Sequence, residues 1–357
     1  MQRHNFTQLT DLALERLGGR AVLANDEFFA AKENLLKQEE AVYISDKYTD
    51  RGKWMDGWET RRRRQPGHDW CIIKLAVPGT IRRVDVDTTH FKGNHPQACS
   101  IDGAEGDPAT DVLTAAALRW TEILPKAPLR PHSRNLFAVN VERRFSSVRL
   151  NIFPDGGVAR FRVYGEARPD WQQRMAAAEA AGRQVDLAAA VNGGLIIDCS
   201  DIFFSSPRNL LMPDGAVDVS DGWETRRRRG PGHDWCIIKL GCRGLLESIE
   251  VDTSHFKGNY PDRCSLDVAD IDNTHASASS DTGTSVDATS STDEHRDPLT
   301  AAIRWQEVLP ETKLQADKLQ RFPVNSDDAG ACTHVRFNIY PDGGVSRLRL
   351  YGRPVDS

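Results

Sequence analysis

The chain has 357 residues and a formal net charge of −5, a length sufficient for two domains with substantial cores. The acidic balance argues against a nucleic-acid-binding protein, and the absence of any run of about 18 apolar residues argues against a membrane span. The polar N-terminal segment lacks the apolar core of a secretory signal. The seven cysteines are odd in number and include no Cys-x-x-Cys pair, which argues against disulfides and a thiolate zinc site. We therefore expect a cytoplasmic protein without nucleic-acid or membrane partners.

An internal repeat organises the chain. Residues 56–75 read DGWETRRRRQPGHDWCIIKL, and residues 221–240 repeat this segment with a single difference. DTTHFKGNHP at 87–96 likewise recurs as DTSHFKGNYP at 252–261. Such self-similarity indicates two copies of one domain. The predicted organisation is an N-terminal tail at 1–10, a first repeat at 11–168, a linker at 169–185 and a second repeat at 186–353.

The patterned segments within each repeat predict β-strands. Residues 70–75 form a short apolar run typical of a buried strand. Residues 148–152 alternate between apolar and polar, a turn follows at 154–157, and the alternation then resumes. The linker at 169–185 contains MAAAEAA, which favours a short helix, and the Ser, Thr and Asp of residues 269–297 predict a disordered insertion. The predicted fold is all-β, with two tandem antiparallel β-sandwiches, short helices and an inter-repeat linker.

The segment from Trp58 to Arg64 carries four consecutive arginines. If the segment is extended, Glu59, Arg61 and Arg63 share one face. One interpretation is a solvated or salt-bridged edge strand. The other is a site where one or two arginines bind a carboxylate and the rest pair with acids such as Glu59. The acidic total and the lack of interleaved aromatic residues disfavour a nucleic-acid patch.

His68 and Asp69 follow a Pro-Gly turn, where a loop enters the strand predicted at 70–75. Loop ends above a rigid sandwich commonly carry function, and histidine titrates near neutral pH, as proton transfer requires. His68 is therefore interpreted either as a structural residue or as a proton-transfer group beside an acid.

His90, Lys92 and Asn94 follow the end of another predicted strand and are expected to alternate on one side. The alternative is a polar loop that caps its own backbone. An alternative is that His68 and His90 form half of a metal site with Asp69 or Glu59, although no familiar ligand spacing such as H-E-x-x-H is present. We predict no cofactor, and a divalent metal stays an alternative.

The duplicated motifs DGWETRRRR, PGHDWCIIKL, HFKGN and PDGGV resemble those of the allantoicase family. The segment LGGRAVLANDEFFAAKENLL at 17–36 resembles that family's opening segment. The resemblance covers nearly the whole chain apart from the linker and the insertion. It implies hydrolysis of allantoate to ureidoglycolate and urea in purine degradation, two jelly-roll domains of the galactose-binding-like type, and a homo-oligomer.

Site residues are predicted from the chemistry of allantoate, a carboxylate on a carbon that bears two ureido groups. An arginine fork suits the carboxylate, urea needs a general acid to leave, and the attacking water needs a general base. In this hypothesis a histidine transfers protons and is steered by a neighbouring carboxylate. The predicted catalytic residues are His68, Asp69, Glu59, His233, Asp234 and Glu224. The predicted substrate-binding residues are Arg61, Arg62, His90, Lys92, Asn94, Arg226, Arg227, His255, Lys257 and Asn259.

Three questions stay open at the level of the sequence. The repeats permit either two independent sites or one shared site. A tandem β-sandwich that binds a ligand or carbohydrate without catalysis is the alternative function, although Trp58, Trp70 and Trp120 fit strand packing better than an exposed platform. A purely structural protein would use the charged segment as an ion-pair network.

Overall fold

The structure is a computed structural model and describes residues 9–108, 112–271, 303–324 and 329–355. The strands of the first repeat are β1 (Thr10–Asp11), β2 (Arg20–Ala24), β3 (Tyr48–Thr49), β4 (Gly52–Lys53), β5 (Trp58–Glu59), β6 (Asp69–Asp87), β7 (Ala98–Ala104), β8 (Thr121–Pro128), β9 (Arg134–Ala138), β10 (Arg144–Phe153), β11 (Gly157–Val158) and β12 (Arg160–Ala167). The strands of the second repeat are β13 (Val185–Asp186), β14 (Leu195–Cys199), β15 (Trp223–Glu224), β16 (Asp234–Asp252), β17 (Arg263–Ala269), β18 (Gln306–Lys313), β19 (Leu319–Pro323), β20 (Cys332–Tyr340), β21 (Gly344–Val345) and β22 (Arg347–Pro354). The helices are α1 (Val112–Ala117), α2 (Trp171–Ala180) and the short 3₁₀ turns Glu15–Leu17, Lys32–Leu36, Ala190–Asn192, Pro207–Leu211 and Val219–Asp221.

Strand β6, which is 19 residues long, organises the first sandwich. Its residues 69–74 pair with β10, and residues 71–74 also pair with β2. Its residues 79–87 pair with β12, and residues 83–87 also pair with β9. The strand therefore passes from one layer of the sandwich to the other. Strand β16 has the same length and the corresponding partners in the second repeat.

Each repeat buries its own apolar core between its layers. In the first repeat, Trp58, Ile73 and Phe161 are fully buried in one apolar cluster. Trp223 and Phe337 are among the fully buried residues of the second repeat's cluster. Burial of each such side chain contributes roughly 1.5–3 kcal/mol. These cores fix the strands from which the polar loops of each repeat extend.

The fold predicted from the sequence is confirmed: the chain is all-β, with two tandem β-sandwiches, short helices and a linker. The strand predictions at 70–75 and 148–152 are also confirmed, by β6 and β10. The turn at 154–157 is flanked by strands, but β10 and β12 do not pair with each other. Both pair with β6 instead, because the chain crosses between layers after the turn.

Two further segments predicted from the sequence are the linker and the insertion of the second repeat. Helix α2 lies in the linker, and the Asp170 carboxylate caps it by accepting a hydrogen bond from the Gln173 backbone at 3.0 Å. Strand β17 extends to Ala269, and the predicted disordered insertion at 269–297 lies outside the described residues from residue 272 onward. Among the described helices, none is long and apolar enough to cross a membrane.

Candidate active site

Four loops of the first repeat meet at one end of the sandwich, at residues 25–30, 56–68, 88–96 and 153–157. Glu59 lies in their midst. Its backbone N–H donates to the Ala30 carbonyl at 3.1 Å, and it is paired with Gly157 in the β5–β11 ladder. The Gly157 N–H donates in turn to the Asn94 carbonyl at 2.8 Å. We call this the first polar cluster; the second polar cluster comprises the matching loops around Glu224 in the second repeat.

The Glu59 carboxylate accepts a hydrogen bond from the Asn94 amide at 2.6 Å. The Glu224 carboxylate accepts the same bond from Asn259 at 2.5 Å. Burial raises the pKa of Glu59, and the hydrogen bond from Asn94 opposes this rise without cancelling it. A carboxyl group with a raised pKa keeps its proton at higher pH, as a general acid requires.

The first arginine of the run is held at the cluster's edge. Nε of Arg61 donates to the Asp26 carboxylate at 2.6 Å, and its guanidinium lies 5.2 Å from the Phe28 ring centroid. Arg226 repeats both contacts, with Asp201 at 2.6 Å and the Phe203 ring at 5.1 Å. The outer Nη atoms of Arg61 and Arg226 have no hydrogen-bond partner in the described part of the chain, so each guanidinium has a fixed position and free donors.

The third arginine of each run binds a buried carboxylate. Arg63 donates to the Asp69 carboxylate at 2.6 Å, and Asn25 donates to the same oxygen at 2.8 Å. Only 1% of the Asp69 surface is exposed. In the second repeat, Arg228 donates to Asp234 at 2.5 Å. The idea that the arginines pair with Glu59 is therefore wrong. Strand β5 ends at that residue, so the extended alternation that would align Glu59 with Arg61 and Arg63 does not continue.

The second and fourth arginines of each run extend into solvent. Arg62, Arg64, Arg227 and Arg229 are exposed, and none has a hydrogen bond or ion pair in the part of the chain that the structure describes. The first and third arginines of each run are therefore bound to acids, and the second and fourth are not. Each cluster presents a positively charged rim that attracts an anion.

The two predicted proton-transfer histidines pack against aromatic rings. The His68 and Phe153 ring centroids are 4.7 Å apart, and those of His233 and Tyr340 are 4.6 Å apart. Nε2 of His233 lies 3.3 Å from the side-chain oxygen of Asn338. The predicted steering of the histidines by Asp69 and Asp234 is not seen, because both carboxylates are buried and bound to arginines.

The predicted alternation of His90, Lys92 and Asn94 on one side is wrong, because this segment consists of turns. His90 has φ of 70°, and its Nε2 lies 3.0 Å from the Ala41 carbonyl oxygen. Lys92 is exposed. In the second repeat His255 makes the same contact with Ala216 at 2.9 Å, and Lys257 lies 4.0 Å from Asp317.

Several residues of the clusters were missed at the level of the sequence. The acid that binds Arg61 is Asp26, and the Asp155 carboxylate accepts from the Arg63 backbone at 2.9 Å. Two repeated motifs carried a signal for them: D-x-F-F at 26–29 and 201–204, and PDGG at 154–157 and 341–344. Asn151 and Asn338 begin the same repeated runs, NIFPDGGV at 151–158 and NIYPDGGV at 338–345, but nothing in the pattern predicted which side chains they contact.

The two clusters differ at their rims. The hairpin β3–β4 occurs in the first repeat, where Arg51 donates to the Phe28 carbonyl at 2.9 Å and lies over the Phe28 ring. The second repeat has a shorter segment here, and Phe203 and Phe204 are 64% and 59% exposed, against 39% for Phe28. Among the described residues, no group of three or more His, Cys, Asp or Glu side chains is arranged to hold a metal ion.

Two tandem β-sandwiches with a duplicated Glu–Asn, Arg–Asp and His arrangement at their loop ends define a duplicated β-sandwich protein with a polar site in each repeat. The family model described as the allantoicase repeat matches residues 10–168 and 185–355. The chain belongs to the allantoicase family. It is 48% identical to a probable allantoicase of Ralstonia nicotianae, over 96% of this chain and 94% of the relative. It is 45% identical to one of Pseudomonas aeruginosa, over 98% and 97%. The crystal structure of allantoicase from Saccharomyces cerevisiae has a TM-score of 0.74 at 32% identity, covering 97% of this chain and 93% of that one.

Proposed function

We propose that the chain hydrolyses allantoate to ureidoglycolate and urea, at the polar clusters. The observation that carries this proposal is the repetition of the same side-chain contacts around Glu59 and Glu224 in a chain of the allantoicase family. Core packing does not require these polar contacts. An anionic substrate with planar ureido groups does, because it needs cationic donors, an amide and proton-transfer groups together.

Arg61 binds the substrate carboxylate in this proposal, and Arg226 does so in the second repeat. Asp26 holds Nε of Arg61 at 2.6 Å, so the guanidinium is positioned before substrate arrives and loses little freedom on binding. Arg62 and Arg227 add long-range attraction from the rim. Lys92 and Lys257 extend the same positive surface, while His90 and His255 support the loops that carry Asn94 and Asn259.

Glu59 acts as the general acid. A C–N bond between the central carbon and one ureido nitrogen breaks, and that nitrogen takes the proton from Glu59 to leave as urea. Asn94 orients the carboxyl group through the 2.6 Å bond, and its side-chain oxygen can accept a ureido N–H. Glu224 and Asn259 have these roles in the second repeat.

His68 and His233 act as general bases. Each accepts a proton from water, whose oxygen bonds to the central carbon and becomes the hydroxyl of ureidoglycolate. The proton given up by the carboxyl group is replaced by the one taken from water, so the enzyme returns to its starting state. Asp69 and Asp234 contribute by holding Arg63 and Arg228 and thereby the loop before each histidine.

Further parts of the proposal concern the protein's organisation. We propose a homo-oligomer in the cytoplasm, with repeat boundaries at 11–168 and 186–353. All seven cysteines are free, which suits a reducing compartment. We also propose that no cofactor is needed, which a chelator experiment tests directly.

A tandem ligand-binding module is the second candidate function. The exposed pair Phe203 and Phe204, beside Arg226, offers the aromatic surface that such a module uses. Binding of allantoate without any release of urea would favour this alternative.

The test is to incubate the purified chain with allantoate and quantify urea and ureidoglycolate, with and without a chelator. Glu59→Gln and Glu224→Gln keep the shape of the side chain and remove the acid. If each cluster is an independent site, each variant retains part of the activity and the double variant loses it by at least about a hundredfold. If one shared site exists, either single variant abolishes urea release. Normal release by the double variant would contradict the role of these residues.

A further inference from the structure

A buried asparagine contacts the proposed base of the second repeat from within the sheet. Asn338 lies in β20 and is 2% exposed. Its side-chain oxygen Oδ1 is 3.3 Å from Nε2 of His233. The histidine ring packs against Tyr340, two residues along the same strand, so its plane is fixed as well.

The orientation of the Asn338 amide follows from its other neighbours. Nδ2 donates to the Asp267 carboxylate at 2.8 Å and to the Ser265 hydroxyl at 3.0 Å. The Asp267 carboxylate is ion-paired with Arg336 at 3.0 Å, and an ionised carboxylate only accepts hydrogen bonds. The NH₂ group must therefore point toward Asp267, and the carbonyl oxygen must point toward His233.

A carbonyl oxygen cannot donate a hydrogen bond, so the nitrogen that faces it has to carry a hydrogen. We propose that Asn338 is a positioning residue that fixes the proton of neutral His233 on Nε2, which leaves the lone pair on Nδ1. Because a neutral imidazole has one N–H, Nδ1 is then the atom that accepts the proton from water. In the described residues Nδ1 of His233 has no hydrogen-bond partner, so it is available for this role.

The first repeat contains the same network of hydrogen-bonded polar side chains. Nδ2 of Asn151 donates to Asp102 at 2.9 Å and to Ser100 at 3.1 Å, and Arg149 donates to Asp102 at 2.9 Å. Oδ1 of Asn151 is buried and has no hydrogen-bond partner in the described residues. His68 packs on Phe153 as His233 packs on Tyr340. Asn151 therefore offers His68 the acceptor that Asn338 gives to His233.

This inference rests on the proposed function only for the role of Nδ1; the tautomer itself is a property of the resting protein. The first experiment is nitrogen NMR on the full chain labelled with ¹⁵N-histidine, with the His233 signals assigned from a His233→Ala sample. We expect His233 to be a single tautomer protonated on Nε2. A population protonated on Nδ1, or a rapidly averaging mixture, would overturn the proposal even if the chain hydrolyses allantoate.

The second experiment is Asn338→Leu, measured in a chain whose first cluster carries Glu59→Gln. Without the acceptor, His233 is expected to average between tautomers, and kcat for urea release to fall about tenfold to a hundredfold with KM changing less than about threefold. Unchanged kcat would contradict the positioning role. The NMR result for the unmodified chain stands whether or not this variant folds.

Asn192→Leu provides a matched control. Asn192 is also buried and hydrogen-bonded, to the Asp186 carbonyl at 2.8 Å, but it contacts neither histidine. The corresponding position of the first repeat is Leu17, so a repeat sandwich accepts leucine there. Its tautomer signals and kcat should match those of the parent chain. An equal loss in both variants would indicate a general effect of buried leucine and refute the specific role of Asn338. Absence of urea release in the unmodified chain would refute the proposed function and leave the tautomer result standing.

Discussion

Arg16 of the first repeat donates to the Asp221 carboxylate of the second at 2.7 Å. Arg347 donates to the same carboxylate at 2.8 Å. Burial raises the pKa of Asp221, but these hydrogen bonds outweigh it and hold the pKa below its ordinary value. In the first repeat, Asp56 and Arg160 form the equivalent pair at 2.8 Å, and no residue in the described part of the second repeat joins it. The first repeat thus completes an ion-pair network directly before β15, the strand of the second polar cluster.

Arg16→Gln should therefore affect the second repeat. We expect a loss of about 1–3 kcal/mol of stability, because a hydrogen-bonded charge is removed from a carboxylate that is largely buried. Urea release in the Glu59→Gln background should fall, whereas in the Glu224→Gln background it should not. Chemical denaturation and urea assays measure these effects. Arg353→Gln, which breaks an exposed ion pair of 3.8 Å, is the control and should change stability by less than about 1 kcal/mol.

Substitutions of two neighbouring arginines should differ in their effects on stability and on substrate binding. Arg63→Ala leaves the buried Asp69 without its charged partner and should destabilise the first repeat by about 3 kcal/mol or more. Arg62→Ala removes an exposed side chain with no described partner and should change stability by less than about 0.5 kcal/mol. Its effect should appear as a higher KM for allantoate at low salt. Denaturation and steady-state kinetics separate the two effects, and equal destabilisation by both changes would contradict the assignment of bound and unbound arginines.

Stability should depend on pH through Asp11. Burial raises the pKa of this carboxyl group to about 6, although Arg162 and two backbone N–H groups oppose the rise. Between pH about 4 and 6 the folded state binds more protons than the unfolded state, so this group's contribution falls as pH rises. Asp11→Asn should therefore become more stable relative to the parent chain as pH rises from 4 to 7, by on the order of 2 kcal/mol.

Asp56→Asn should show the opposite dependence of stability on pH. Burial alone would raise the pKa of Asp56, but the hydrogen bond from Arg160 outweighs it and the pKa is lowered. This carboxylate stabilises the folded state above its unfolded pKa, and that contribution is lost as pH falls. Its asparagine variant should lose stability relative to the parent as pH rises. Urea denaturation at pH 4.5 and 7.5 measures the Asp11 trend, and the same measurement at pH about 2.5 and 4.5 measures the Asp56 trend, because the pKa of Asp56 lies below its ordinary value. Trends of the same sign for the two variants would refute the assignment.

Two glycines at the clusters, Gly157 and Gly344, should not tolerate an added methyl group. A Cβ on Gly157 would lie 1.9 Å from the Phe91 ring, and one on Gly344 would lie 2.0 Å from the Phe256 ring. Gly157→Ala should destabilise the fold by about 1–3 kcal/mol and reduce urea release at the first cluster. Gly93→Ala, in the adjacent loop with no atom within 4 Å of the added carbon, should be silent. Denaturation midpoints of the two variants provide the comparison.

The sequence predicted the sandwiches well because strand burial is periodic over a few neighbouring residues, as in the runs at 70–75 and 148–152. The partners of the arginines were harder to predict. Asp26 lies 35 residues from Arg61, and any of many acids could have filled that place on composition alone. Asn338 lies 105 residues from His233, and a strand asparagine carries no local signal of its contact. Such contacts depend on sheet register, which only the folded chain defines.

Both ends of β6 lie at the first polar cluster. The strand begins at Asp69, which binds Arg63, and it ends at Asp87, just before the loop that carries Asn94. One uninterrupted stretch at 56–96 therefore supplies Glu59, the arginine run, His68 and Asn94. The stretch at 221–261 has equal length and supplies the same set to the second cluster. Gene conversion between the two stretches would replace one complete side of a cluster without a change of length. The clusters can accordingly be kept alike by gene conversion while the remaining loops of each repeat diverge.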